Sequence, residues 1–213
     1  MTAGFRRACG TTTRPALTVR EVSGNRAARP STDDATPLLF QAAVAALTAV
    51  VPRFEITLTP VRAPQRLAPW TYALAGELVG PDDLPEATGR LVLLHDPDGQ
   101  DMWDGVLRLV SYVRAELDGG LAGDPMLPEV GWSWLTEALE TSQARFTALG
   151  GTVTQTSSAR FGDIAGPPLS HDVELRASWT PLDADLTPHA EAFCTLLATA
   201  AGLPPEGATA LRS

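Results

Sequence analysis

The stretch HDPDGQDMWDGVLRLVSYVRAEL, residues 95–117, constrains the fold more than any other part of the chain. Within it Leu107, Leu109, Val113, Ala115 and Leu117 fall on one side of an extended backbone. Val106, Arg108, Val110, Tyr112, Arg114 and Glu116 fall on the other. Successive side chains in a strand point to opposite faces, so this is a strand with one apolar face and one mixed face. The mixed face implies that something covers part of it. Asp96-Pro97-Asp98-Gly99 lies just upstream, where Pro presets φ and Gly supplies positive φ. A turn therefore joins this strand to GRLVLLH, residues 89–95, and strands joined by short turns pair antiparallel.

The same period marks other strands. RFEITLT (53–59) sets Phe54, Ile56 and Leu58 against Arg53, Glu55, Thr57 and Thr59. APWTYALAGELVG (68–80) is a less regular strand, and TVTQTSSARF (152–161) is polar enough to be an edge. DVELRASWT (172–180) turns Val173, Leu175, Ala177 and Trp179 inward. Helices are predicted in three places. Thr36-Pro37, a capping hydroxyl and then Pro at the first helical position, opens LLFQAAVAALTAVV (38–51), apolar almost all round and read as a buried helix. A second helix follows DPMLPEV and runs to about Leu149, stopped by Gly150-Gly151, with Trp132, Leu135, Leu139, Phe146 and Leu149 as its stripe. Thr187-Pro188 opens the third, with Ala190, Phe193, Cys194, Leu197 and Ala201 inward and Gly202 closing it.

The order is thus α-β-β-β-β-α-β-β-α: an α+β fold with an antiparallel sheet of about six strands and three main helices. Residues 1–35 are expected to be a disordered Arg-rich tail, 36–205 one domain, and 206–213 a flexible end. Six arginines (6, 7, 14, 20, 26 and 29) stand against one acid, Glu21, in residues 1–32, a net of +5. The remainder carries 10 Arg against 24 acids, a net of −14. An acidic body repels a phosphate backbone, so nucleic-acid contact is left to the tail. No apolar run is long enough for a membrane span, and the Arg- and Thr-rich N-terminus lacks an apolar signal region. The expected compartment is the cytoplasm.

Candidate chemistry is sparse. His95, His171 and His189 are scattered, and no nucleophile elbow or phosphate loop occurs. The acids of 95–105 lack calcium-loop spacing, so neither a metal nor a cofactor is expected. Cys9 lies in the tail and Cys194 on an apolar stripe, where it reads as an inert core thiol. The face bearing Arg108, Tyr112, Arg114 and Glu116, with His95 as a candidate base, suits an anionic ligand. The alternative is an exposed sheet face with cross-strand ion pairs. Trp132 and Trp134 cannot share a helix face, since each residue turns about 100°. Trp132 belongs to the core stripe. Trp134 is either covered by the chain itself or anchors a partner.

Several stretches, APQRLAPWTYALAGEL, TGRLVLLHDPDGQDMWDGVLRLVSYVRAELD, DPMLPEVGWSWLTEALE, GTVT and ELRASWTP, resemble the actinobacterial domain of unknown function 3000 family over roughly residues 40–205. The resemblance implies no assigned activity. It does imply a partner, since family members are often encoded beside a ribonuclease D-like exonuclease. The element order is also similar to that of the type III secretion chaperone-like fold, with one extra strand. That analogy implies small, acidic, often dimeric proteins that bind other proteins. The favoured expectation is a non-catalytic protein-binding domain of the adaptor or chaperone kind, acting on a partner or on itself. A small enzyme or anionic-ligand domain is the alternative, and an accessory to an RNA-processing exonuclease the weaker one.

Overall fold

The computed structural model describes residues 35–80, 85–117, 123–163 and 169–205. The tail expected over 1–35 and the end expected over 206–213 lie almost wholly outside these residues. Nine elements follow in the predicted order: α1 (Leu38–Ala49), β1 (Ile56–Val61), β2 (Trp70–Val79), β3 (Pro85–Gln100), β4 (Gly105–Glu116), α2 (Leu127–Thr141), β5 (Phe146–Ala159), β6 (Leu169–Pro181) and α3 (Thr187–Ala200). The strands form one sheet in the order β1-β2-β3-β4-β6-β5, and every neighbouring pair is antiparallel. After α2 the chain enters at the far edge as β5, then returns as β6 between β5 and β4.

One face of the sheet carries all three helices. Leu74, Leu78, Leu91, Leu93, Leu107, Leu109, Val113, Leu175 and Trp179 rise from it and meet Leu135 and Leu139 of α2 and Phe193 and Leu197 of α3 in the main core. The centre of α3 sits very close to the strands. A Cβ at Gly76 would lie 2.6 Å from Leu197 Cδ1, and one at Gly89 would lie 2.9 Å from Phe193 Cζ. Two glycines on adjacent strands, paired in register, make the seat for this helix.

Five local expectations are corrected. The turn between β3 and β4 falls at 101–104 and not at Asp96–Gly99, which continue β3 past a break in its register with β4. Phe54 is 95% exposed, because residues 53–55 turn the chain from α1 into β1, held by the Ile56 amide on the Arg53 carbonyl (3.0 Å). The alternation of β1 starts at Ile56. Next, α1 is not buried all round: Phe40, Ala43 and Leu47 are inside, while Leu38, Leu39, Ala42 and Ala45 are exposed. Thr36 serves its start through the carbonyl, which accepts from Gln41 Nε2, and not through a capping hydroxyl. Finally, α2 stops at Thr141, not near Leu149. Gln143 takes a left-handed conformation (φ 56°), its amide reaches the Glu140 carbonyl, and the Ala144 amide reaches that of Leu139. This is a Schellman ending made without glycine.

Phe146 and Leu149 consequently belong to β5. Gly150 lies at an irregularity in the β5–β6 register. At Gly151 a Cβ would meet the Arg176 carbonyl at 2.3 Å and Trp132 Cζ3 at 2.8 Å. The glycine pair that looked like a helix stop is strand backbone under a tryptophan ring.

Candidate functional site

Arg108, Tyr112, Arg114 and Glu116 do come together, at every second position of β4 on the face opposite the helices. His95 does not join them. Its register partner is buried Leu107, it is 3% exposed, and it stacks on Phe40 of α1 with ring centroids 6.1 Å apart. His95 Nδ1 lies 2.9 Å from the Val106 carbonyl, an acceptor, so Nδ1 carries the proton. The sheet separates this imidazole from the arginines.

Cross-strand register extends the β4 row. Ala75, Arg90, Tyr112, Arg176 and Thr152 lie side by side across β2, β3, β4, β6 and β5. The Arg176 guanidinium sits over the Tyr112 ring, 5.5 Å from its centroid, and also pairs with Glu174 at 2.8 Å. Arg114 pairs with Asp172 at 2.9 Å, and that carboxylate holds the guanidinium above its ordinary pKa. Burial, then the charge of Glu174, pushes the Tyr112 phenol up. Arg90 is exposed, with no ion-pair or hydrogen-bond partner among the described residues. It lies at a shallow depression of about 410 Å³ lined by Ala75, Glu77, Thr88 and Tyr112.

Arg108 is engaged differently. Nη1 donates to the Ala148 carbonyl (2.9 Å) and Thr180 Oγ1 (3.1 Å), while Nη2 donates to Ser178 Oγ (2.7 Å) and the Ser178 carbonyl (3.3 Å). Burial lowers its pKa from the ordinary arginine value. The Thr180 hydroxyl in turn donates to the Trp103 carbonyl. Trp103, from the β3–β4 turn, covers a second small core of Ala68, Ala73, Val92 and Leu94 on this face. That is the partial cover the mixed pattern of β4 called for. It closes one end of the face and leaves the end with Arg90, Tyr112, Arg114 and Arg176 open.

Trp132 and Trp134 are both half-buried and both pack against the main core. Trp132 lies over Gly151. Trp134 lines a cleft of about 350 Å³ with Glu86, Glu116, Leu117 and residues 199–202 at the end of α3. The cleft joins Glu116, placed with the arginine face by its period, to Trp134, placed elsewhere by the helix pattern. The last carbonyls of a helix carry partial negative charge. An indole, two carboxylates and a helix C-terminus together suit a cationic side chain.

The buried contact of His189 with Trp179 and the exposed Arg90 are not marked by any pattern in the sequence. His189, 1% exposed, accepts from Trp179 Nε1 at 3.0 Å through Nδ1. Burial lowers its pKa to about 4, against the opposing pull of Asp183 and Asp185. No spacing signal ties a helix histidine to a strand tryptophan, so only the fold reveals the pair. Only the outward turn of Arg90 was legible, since its neighbour Leu91 faces the core. Cys194 is buried, and its thiol is pushed up to about 12. Among the described residues no group of three or more His, Cys, Asp or Glu is placed to hold a metal ion. No described helix is long and apolar enough to cross a membrane.

A family model described as "Protein of unknown function (DUF3000)" matches residues 36–209. No curated protein matches the chain, and no solved structure does.

Proposed function

We propose, from the premise that this chain belongs to the DUF3000 family, that it is a non-catalytic protein-binding domain of the adaptor or chaperone kind. In this reading it grips a basic segment of a partner at the Trp134 cleft. The observation that supports the reading is the lining of that cleft: one half-buried indole, the carboxylates of Glu86 and Glu116, and the C-terminal end of α3. A lysine or arginine side chain laid against the indole gains a cation–π contact, and its head meets the acids. Partly desolvated aromatic anchors of this kind dominate many interfaces. His95, His189 and Cys194 are enclosed and the two histidines hydrogen-bonded, which fits the same reading; His171, half-buried on β6 with Nδ1 2.8 Å from Ser157 Oγ, is the one described histidine left partly open.

The test is calorimetric titration of the intact chain with a short arginine-rich peptide. Saturable binding is expected, weakened by about 2 kcal/mol in Trp134→Ala. The double variant Glu86→Gln/Glu116→Gln should also bind less tightly, with its melting temperature unchanged. Equal affinity for all three proteins would remove the cleft from consideration.

A second reading, an anionic-ligand site, is favoured by one observation: Arg90, without an ion-pair or hydrogen-bond partner among the described residues, lies beside Tyr112 at the 410 Å³ depression. Inorganic phosphate binding abolished by Arg90→Ala would support it. The role of accessory to an RNA-processing exonuclease rests on the family resemblance and the Arg-rich N-terminal segment alone.

A further inference from the structure

We infer that the Phe5-Arg6-Arg7 stretch of this chain's own N-terminal segment sits in the Trp134 cleft, where a basic partner must displace it. This contact presupposes the cleft reading above and supplies the ligand that holds the cleft at rest. Ala87 and Ala115 are register partners on β3 and β4, and Glu86 and Glu116 stand one step beyond them. Glu116 is also the register partner of Asp172 on β6. Three carboxylates therefore gather at this end of the sheet. Asp172 has its cation in Arg114, while Glu86 and Glu116 have no ion-pair or hydrogen-bond partner among the described residues. Like charges opposed across strands destabilise a sheet, and a cation between them removes the penalty. Trp134 and the end of α3 wall the same cleft, so the cation that fits has a flat head an indole can cover. That describes arginine.

Two features select this stretch as the occupant. The first is charge. Residues 1–32 carry a net of +5 and the remainder −14, so the body of the chain attracts its own N-terminal segment. Arg6-Arg7 is the one place in the sequence where two cations adjoin, and Phe5 precedes them. Two guanidiniums answer two carboxylates, and the Phe5 ring has an indole to pack on. Residues 206–213 follow α3 directly but offer Arg212 alone against Glu206. The second feature is reach. α1 is twelve residues long, ~18 Å. Beyond its far end Arg53 donates to the Pro204 carbonyl, two positions past Gly202 of the cleft. The start of α1 therefore lies on the order of 20–30 Å from the cleft. An unstructured chain of the roughly 28 residues between Arg7 and Ala35 has a root-mean-square span of ~30 Å. A tether is most effective when its span matches the distance it must cover.

Calorimetric titration with the same arginine-rich peptide tests this, run on the native chain and on Arg6→Gln/Arg7→Gln. The variant should bind the peptide about tenfold more tightly, because a competitor tethered at an effective concentration of ~1 mM has been removed. Equal affinity overturns the inference and leaves the cleft reading standing, whereas no binding to either protein overturns both. A gain that appears only in concentrated protein would put the stretch from a second copy in the cleft, and overturns the contact within one chain. A second measurement needs no change to the N-terminal segment. A nitroxide label goes to Cys9, two positions past Arg7, since Cys194 is buried with its thiol pushed up to about 12. The label should broaden the Trp134 indole resonance and spare that of Trp179, which is enclosed with His189. High salt and Glu86→Gln/Glu116→Gln should each relieve the broadening. A Trp134 resonance indifferent to the label, or broadening that survives both treatments, overturns the inference.

Discussion

The two faces of this sheet are built by different rules from the same strands. On the helix-covered face, leucine, valine and alanine from β2, β3, β4 and β6 meet three helices, and the buried polar groups there include His95 and His189, both hydrogen-bonded. On the opposite face a small Trp103 core closes one end, and partly exposed ion pairs, one between β4 and β6 and one along β6, fill the other. The first face carries most of the folding free energy, because buried apolar area does so and exposed ion pairs do not. The second is thereby free to change its charges without unfolding the domain.

That contrast should break most visibly at Trp179. It is 1% exposed at the centre of the covered face, so Trp179→Ala should cost about 3–5 kcal/mol in denaturant melts. A cost near 1 kcal/mol would mean the covered face tolerates a cavity that close packing forbids. The next effect is on pH. Burial holds His189 at about 4 in the folded chain, below the ordinary 6.5, so the unfolded chain binds a proton first as pH falls. Stability should be complete above about pH 6.5 and decline toward pH 4, by an amount on the order of 3 kcal/mol. His189→Gln, which keeps an acceptor for Trp179, should flatten the urea midpoint across that window. Trp103→Ala should cost about 2 kcal/mol, the worth of one large side chain over a small core. Smallest of all, Arg114→Ala should change stability by about 0.5 kcal/mol or less, since its pair with Asp172 is half in solvent. A larger loss there would make the open face a structural element after all.

The ends of α2 and α3 show what was legible in the sequence and what was not. Both helices stop in the same way. Gly202 and Leu203 donate to Thr199 and Ala198, just as Gln143 and Ala144 donate to Glu140 and Leu139. Gly202 announces the left-handed residue that this ending needs, because glycine adopts it without steric cost. Gln143 does not, and the next glycines, 150 and 151, attracted the boundary instead. The strand faces of β4 and β6 were legible because alternation is a local property of the chain. The row that sets Arg90 beside Tyr112 and Arg176 was not, because it depends on which strands become neighbours and in what register. His95 illustrates the limit: its nearness to β4 in sequence suggested a shared site, yet a single step of the pleat put it on the other side of the sheet.

The docking of α1 has a consequence for biosynthesis. The helix has no charged residue, packs on α3, and is followed by Arg53, which donates to the Pro204 carbonyl across 151 positions of chain. At synthesis rates of about 5–20 residues per second, α1 leaves the ribosome roughly 10–30 seconds before its partner helix exists. During that interval Phe40 has only its ring partners on β2 and β3, Trp70 and His95, and the α3 side of the core around Phe40, Ala43 and Leu47 is missing. An apolar helix is made first and buried last, so the nascent chain exposes a hydrophobic segment for most of its translation.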